Sequence, residues 1–231
     1  MNDETEIVYA YNEIIGPIAR TRVNGEPKYF IKNIKSDLVR HVWGRFCTHI
    51  ACFSRSSELR SQWERYAKWT GFAIGFNRSQ LTQWCLERGI PIFPVSYNRT
   101  LHEHMIRRFF EREAVIESQR NCGTDGPVRE TLRGKAIDYL SSLASTLKEA
   151  GWKDEQEWRI LVIQTEGNTR FECLTRGDNI CYFELPICTP DFVTEVIFRP
   201  GSTADDNGLR RLLDTTGFSG TAIRGTPKLT G

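Results

Sequence analysis

The chain has 231 residues, 39% of them hydrophobic, which is enough to bury the core of one large domain. Its formal net charge is +2 with 26% charged residues, so no global field draws it to nucleic acid or to a membrane surface, and any such contact has to be local. Seven cysteines, Cys47, Cys52, Cys85, Cys122, Cys173, Cys181 and Cys188, are odd in number and form no C-x-x-C pair; the spacing excludes a disulfide framework or a structural zinc knuckle and reads as reduced thiols, with Cys47 and Cys52 in buried strand positions.

No apolar run approaches the roughly 18 to 20 residues of a membrane span. The opening Met1-Asn2-Asp3-Glu4-Thr5-Glu6 is acidic and lacks the character of a signal peptide. A cytoplasmic protein with no membrane partner is expected.

Ile7, Tyr11, Ile14 and Ile15 recur at helical spacing, giving a helix over 4–15 that Asn2 or Asp3 caps and that stops near Gly16-Pro17. A second helix runs from Ser36 or Asp37 to Trp43. Residues 45–53 alternate and are rich in β-formers, and they end at Ser54-Arg55-Ser56-Ser57. Leu59, Trp63, Tyr66 and Ala67 mark a helix over 58–69 capped by Ser56 or Ser57. A strand over 71–76 follows, in which Gly71 and Gly75 permit close backbone approach. A short helix over 79–88 leads to a strand over 92–97 that Pro94 makes irregular or places at an edge.

Residues 100–119 form a charged helix with an apolar stripe of Leu101, Met105, Ile106, Phe109, Val115 and Ile116; its alternating arginines and glutamates read as a solvated face. After the Gly- and Pro-containing loop 121–127, a second long helix spans 128–150 and ends on Gly151 as a left-handed cap. Shorter strands at 169–174, 180–185 and 195–198, a helix over 205–215 and a weak strand at 221–224 complete the chain. Strands and helices intersperse without βαβ regularity. This gives an α+β fold with a mixed, largely antiparallel sheet and several surrounding helices, one domain over 1–231 with a helical elaboration at about 98–150.

The most informative stretch is Trp152-Lys153-Asp154-Glu155-Gln156-Glu157-Trp158-Arg159-Ile160-Leu161-Val162-Ile163, where acids and indoles pass into a β-branched strand. Strand alternation puts Glu155, Glu157 and Arg159 on one side and Trp158, Ile160 and Val162 on the other. Acids at a strand mouth suit the stabilisation of a cationic sugar carbon, while the plainer account is a Glu157–Arg159 ion pair of little worth. Solvent around Glu157 with Ser54 or Ser56 across from it favours chemistry; closure against Arg159 counts against it. In the first case Glu157→Gln abolishes activity at little cost in stability.

Ser54, Ser56, Trp63 and Tyr66 are the matching candidates for a cleft wall, against a plainer account in which Ser56 caps a helix and the two aromatics are core. His102 and His104 sit about 200° apart on a helix and do not share a metal ion, and His41 and His49 supply no ligand pattern, so no metal is expected. Gly71 and Gly75 form no phosphate loop.

Cys52-Phe53-Ser54, Trp63-Glu64-Arg65-Tyr66-Ala67, Gly71-Phe72-Ala73-Ile74-Gly75-Phe76, Val95-Ser96-Tyr97, Trp152 with Glu155-Gln156-Glu157-Trp158-Arg159, and Tyr182-Phe183-Glu184-Leu185-Pro186 resemble, in order, a bacterial family, domain of unknown function 2971. Asn2-Asp3-Glu4-Thr5-Glu6 is similar to that family's Asn-Asp-Pro-x-Glu, which follows an opening strand and helix with a His/Tyr-Tyr-Thr pattern. That opening is absent here, so a short form, a truncated product or a misplaced start is expected. Trp69-Thr70 stand where the family has a histidine.

The order of parts also resembles mono-ADP-ribosyltransferases. That resemblance implies NAD as substrate and a macromolecular acceptor, in a toxin or phage-defence effector. It makes Glu157 the catalytic carboxylate and Glu155 the residue that orients the acceptor. Ser54 and Ser56 then hold the ribose or Glu157, and Trp63 or Tyr66 walls the nicotinamide pocket. The opening strand, which supplies the first NAD-gripping residue, is missing. The alternative is a non-catalytic module binding protein or nucleic acid through the same cleft or the helix from Arg107 to Arg120.

Overall fold

The computed structural model describes residues 8–18, 48–67, 71–120, 138–163, 174–176, 180–198 and 206–225. The predicted helix at 36–43 lies outside them, as do the first ten residues of the predicted helix over 128–150. Helices and strands intersperse in a mixed α+β architecture, as the sequence pattern leads one to expect, but the described strands form two three-stranded sheets and a two-stranded ribbon where a single sheet was expected.

Helix α1 covers 8–18, with a π-helical stretch at Ala10–Ile15, and continues through Gly16 and Pro17 instead of stopping there. Strand β1 is Thr48–Ser54. Helix α2 begins as a single α-turn at Arg60–Gln62 and continues as a π-helical turn at Trp63–Ala67. Its N-cap is Leu59, without a side-chain cap, so neither Ser56 nor Ser57 caps it. The Ser56 hydroxyl instead accepts from the Glu58 amide at 3.1 Å, two residues before the helix starts.

Strand β2 is Phe72–Phe76, and helix α3 is Arg78–Glu87. Asn77 caps α3 by accepting from the Gln80 amide, because an Asx side chain meets an amide that has no carbonyl partner within the helix. Strand β3, Ile92–Pro94, stops at the proline, which has no N–H to donate to a ladder. Helix α4 is Arg99–Arg120 and helix α5 covers 138–144.

Helix α5 does not run on to Gly151. The Ser145 and Thr146 hydroxyls donate to the carbonyls of Ser141 and Leu143, a local alternative to helical bonding. The chain then bridges in parallel to Ser96, whose amide donates to Thr146 and whose carbonyl accepts from Lys148. Gly151 falls inside a 3₁₀-helix, Ala150–Glu155.

Strand β4 is Glu157–Ile163, followed by β5 (Leu174–Arg176), β6 (Ile180–Tyr182), β7 (Val193–Phe198), helix α6 (Asp206–Thr215) and β8 (Ala222–Gly225). One sheet has the order β1-β4-β3 and another the order β2-β7-β8, with β5 and β6 forming an antiparallel ribbon. Strand β2 runs antiparallel to β7, and β8 runs parallel to it.

The chain divides into two compact units. One holds residues 1–51, 93–153 and 161–170, and the other 52–92, 154–160 and 171–231. The first buries Ala10, Ile14 and Ile15 of α1 with Ile106, Phe109 and Phe110 of α4 and Leu140, Leu143 and Leu147. His102 is buried there and His104 is exposed, as their placement two apart on a helix requires. The second unit buries Trp63, Leu81, Trp84 and Cys85 with Val196, Ile197 and Phe198 of β7.

Gly71 and Gly75 both serve close approach. A Cβ on Gly71 would lie 2.6 Å from the Ala67 Cα, and one on Gly75 2.3 Å from the Glu195 Cγ. Cys52, read as buried, is exposed. No helix among the described residues is long and apolar enough to cross a membrane.

Candidate functional site

The mouth of β4 lies in the second unit. Glu157 opens the strand and Arg159 follows two residues on, so alternation places both side chains on one side. They close on each other, with Arg159 Nε 2.8 Å from Glu157 Oε1 and Nη2 3.1 Å from Oε2. The side chains are only 8% and 3% exposed, so this is a buried two-point ion pair and not the surface pair of the plainer reading. Trp158 points to the opposite side, where the Arg78 guanidinium stands 4.3 Å from its ring centre.

Glu155 does not share that side by strand alternation, because it ends the 3₁₀-helix and is not part of the strand. Between the two acids, Gln156 takes a left-handed conformation at φ 46°, the one non-glycine residue to do so among those described. That turn breaks the period of two on which the shared face rested. Glu155 is instead buried against Arg65, which reaches it from the π-helical turn of α2 and forms an ion pair through Nη1.

The end of β1 is tied to this mouth. The Ser54 hydroxyl donates to the carbonyls of Ser56, at 3.0 Å, and of Glu155, at 3.1 Å, the second across 101 residues of sequence. The Arg55 amide donates to the Gln156 carbonyl at 3.0 Å. Ser54 and Glu155, named from separate parts of the sequence, are thus brought together.

Trp63 is buried, and its indole N–H donates to the Ser57 carbonyl at 2.6 Å, so it braces the serine loop from within. Ser57 also receives a hydrogen bond from Arg224 Nη2 at 3.0 Å, and the bond Arg224 makes to Glu195 pushes the guanidinium pKa up. Tyr66, by contrast, is 71% exposed and is not a core residue.

Two residues of this arrangement escaped the sequence reading. Arg65 looked like one more charge on an amphipathic helix, and nothing in its neighbours signals a partner ninety positions away. Gln156 carried no Gly, Asn or Asp signature of a left-handed residue. Among the described residues no group of three or more His, Cys, Asp and Glu is gathered as a metal site would need.

Residues 62–160 match the family described as protein of unknown function (DUF2971). The match takes in the blocks Trp63–Ala67, Gly71–Phe76, Val95–Tyr97 and Glu155–Arg159 on which the resemblance was drawn, while Cys52–Ser54 and Tyr182–Pro186 lie beyond it. No curated protein and no solved structure matches the chain.

Proposed function

We propose that this chain, a DUF2971 protein over residues 62–160, carries an ADP-ribosyltransferase-like site at the mouth of β4, closed in the conformation described here. The proposed role is that of a cytoplasmic bacterial effector, a toxin or a phage-defence protein, that moves ADP-ribose from NAD to a macromolecule. The observation that supports this is the hydrogen bonding of the Ser54-Arg55-Ser56 strand end onto Glu155-Gln156. The Ser54 hydroxyl reaches the backbone carbonyl of Glu155, two residues before the strand that Glu157 opens.

In that reaction the bond between nicotinamide and the ribose C1′ breaks, and nicotinamide leaves with the bonding electrons. The Glu157 carboxylate stabilises the positive charge left on the sugar. The acceptor then bonds to C1′ and loses its proton. Glu157 is closed off against Arg159, the arrangement that counts against this reading, and has to part from it for the chemistry to proceed.

Burial of that same pair favours a second reading, a non-catalytic module in which Glu157 and Arg159 are structural and a protein or nucleic acid docks at the strand mouth or along α4 from Arg107 onward. Arg107, Arg108 and Arg112 are exposed on that helix.

Nicotinamide release from NAD by the purified protein separates the two. Release that is lost in both Glu157→Gln and Glu157→Asp, with each variant folded by circular dichroism, is the expected result. Absence of NAD binding and cleavage in the folded wild type leaves the binding module standing.

A further inference from the structure

We infer that the flank of α4 carrying Arg108 and Arg112, together with Tyr139 of α5, binds single-stranded nucleic acid, the arginines meeting phosphates and the tyrosine ring stacking on a base; the assignment deepens the second reading above and rests on it.

An arginine on a helix surface finds its counter-charge three or four positions away where the sequence offers one. Arg112 has no acid at those positions, and Arg108 has only Glu111. Both arginines are exposed, and neither forms a hydrogen bond or ion pair among the described residues, with Glu111 or any other. Arg99, on the same helix, pairs with Glu103 and with Glu13 of α1. At roughly 100° per residue Arg99 and Arg108 point to opposite sides of the helix, so α1 lies away from Arg108 and Arg112 and leaves them to solvent. The alternation of arginine and glutamate along α4 therefore does not neutralise this flank.

Phe109 stands between the two arginines in the sequence, and the Tyr139 ring lies nearly parallel to it, with ring centres 5.3 Å apart and planes at 12°. Phe109 is buried and gives the tyrosine a fixed backing, while Tyr139 itself is 53% exposed. One face of the ring thus rests on Phe109 and the other is open. A ring already held in place loses little freedom when a base stacks on it. Arg112 follows Phe109 within about 60° around the helix, which brings a cation to the tyrosine's side. Arg107 is also exposed and unpaired among the described residues, but it lies about 200° from Phe109, on the far side.

A stacking platform with cations beside it holds a single strand with little regard to sequence, whereas bases paired in a duplex leave no face for the ring. An acidic protein would engage the arginines and leave the tyrosine face unused.

The test is fluorescence anisotropy of the whole chain with labelled oligo-dT and oligo-U, and with a dA·dT duplex of equal length as control. Either single strand should bind more tightly than the duplex, and the tighter of the two identifies the sugar preferred. Tyr139→Ala should weaken single-strand binding about five-fold or more with its salt dependence unchanged, and Tyr139→Phe should retain it. The double variant Arg108→Gln with Arg112→Gln should lower the slope of log affinity against log salt by about 1.4, roughly 0.7 for each phosphate contact. Arg107→Gln removes an equal charge from the far side and should leave that slope nearly unchanged.

No binding of either single strand, duplex binding as tight as single-strand binding, unchanged affinity in folded Tyr139→Ala, or an unchanged salt slope in the folded double variant overturns the assignment. Single-strand binding that survives all of these variants moves the nucleic-acid site off this flank and leaves the second reading standing. Nicotinamide release by a wild type that binds through Tyr139 upholds this flank and rejects the non-catalytic reading.

Discussion

Glu157 and Arg159, two residues apart on β4, satisfy each other through two hydrogen bonds while almost wholly withdrawn from water. Removing one member leaves a buried charge without its counter-charge, so Arg159→Leu and Glu157→Gln should each cost about 3 to 5 kcal/mol. Replacing both by apolar residues of similar volume should cost much less. Urea unfolding of the two singles and the double reads this directly. The expectation that Glu157→Gln spares stability is corrected by this burial, and activity assays on that variant need a folding control.

Gln156 holds φ 46° without the freedom of glycine. Gln156→Gly should stabilise the fold by up to about 1 kcal/mol, since it relieves the left-handed strain at some expense in unfolded-state entropy. Gln156→Val should destabilise, because a β-branched side chain fits that region worst. Thermal melts of the two variants moving in opposite directions would confirm the strain.

Gly71 lies against backbone, with a Cβ there falling 2.6 Å from the Ala67 Cα. Gly71→Ala should therefore cost about 1 to 3 kcal/mol by overpacking. Gly151→Ala, with nothing within 4 Å of the added carbon, should be close to neutral, and the two melting temperatures make the comparison.

His102 is buried, with Nε2 2.8 Å from the Ser96 carbonyl and Nδ1 without a partner. Burial lowers its pKa below the ordinary 6.5, and the Ser96 bond only partly opposes this. The unfolded chain then takes up a proton at a higher pH than the folded one. The stability from this residue is complete above pH 6.5 and is lost as pH falls through 6.5 toward the lower folded value, at no more than about 1.4 kcal/mol per pH unit. His102→Gln, whose amide can still donate to Ser96, should flatten urea midpoints between pH 7.5 and 5.

Much of the element order was legible because apolar spacing is a local property. Helix α4, helix α6 and the Glu157–Arg159 face follow from it within a residue or two. The end of α5 was not legible, since Gly151 is the stronger local signal and the bridge from Ser96 to Leu147 that competes with it is non-local. At the site, Ser54 and Glu157 stood out as residue types at strand ends. Glu155 was misplaced by one left-handed residue that its sequence does not announce. Arg65 was invisible because its meaning lies in a partner ninety positions later.

The pairing of β2 with β7, Phe72 opposite Phe198, also bears on how the chain is made. β2 leaves the ribosome long before its partner, with Phe72 and Ile74 still exposed even in the finished fold. At ordinary rates of synthesis that interval is on the order of ten seconds. For that time an apolar strand has no ladder to join, and its edges stay open to other pairing.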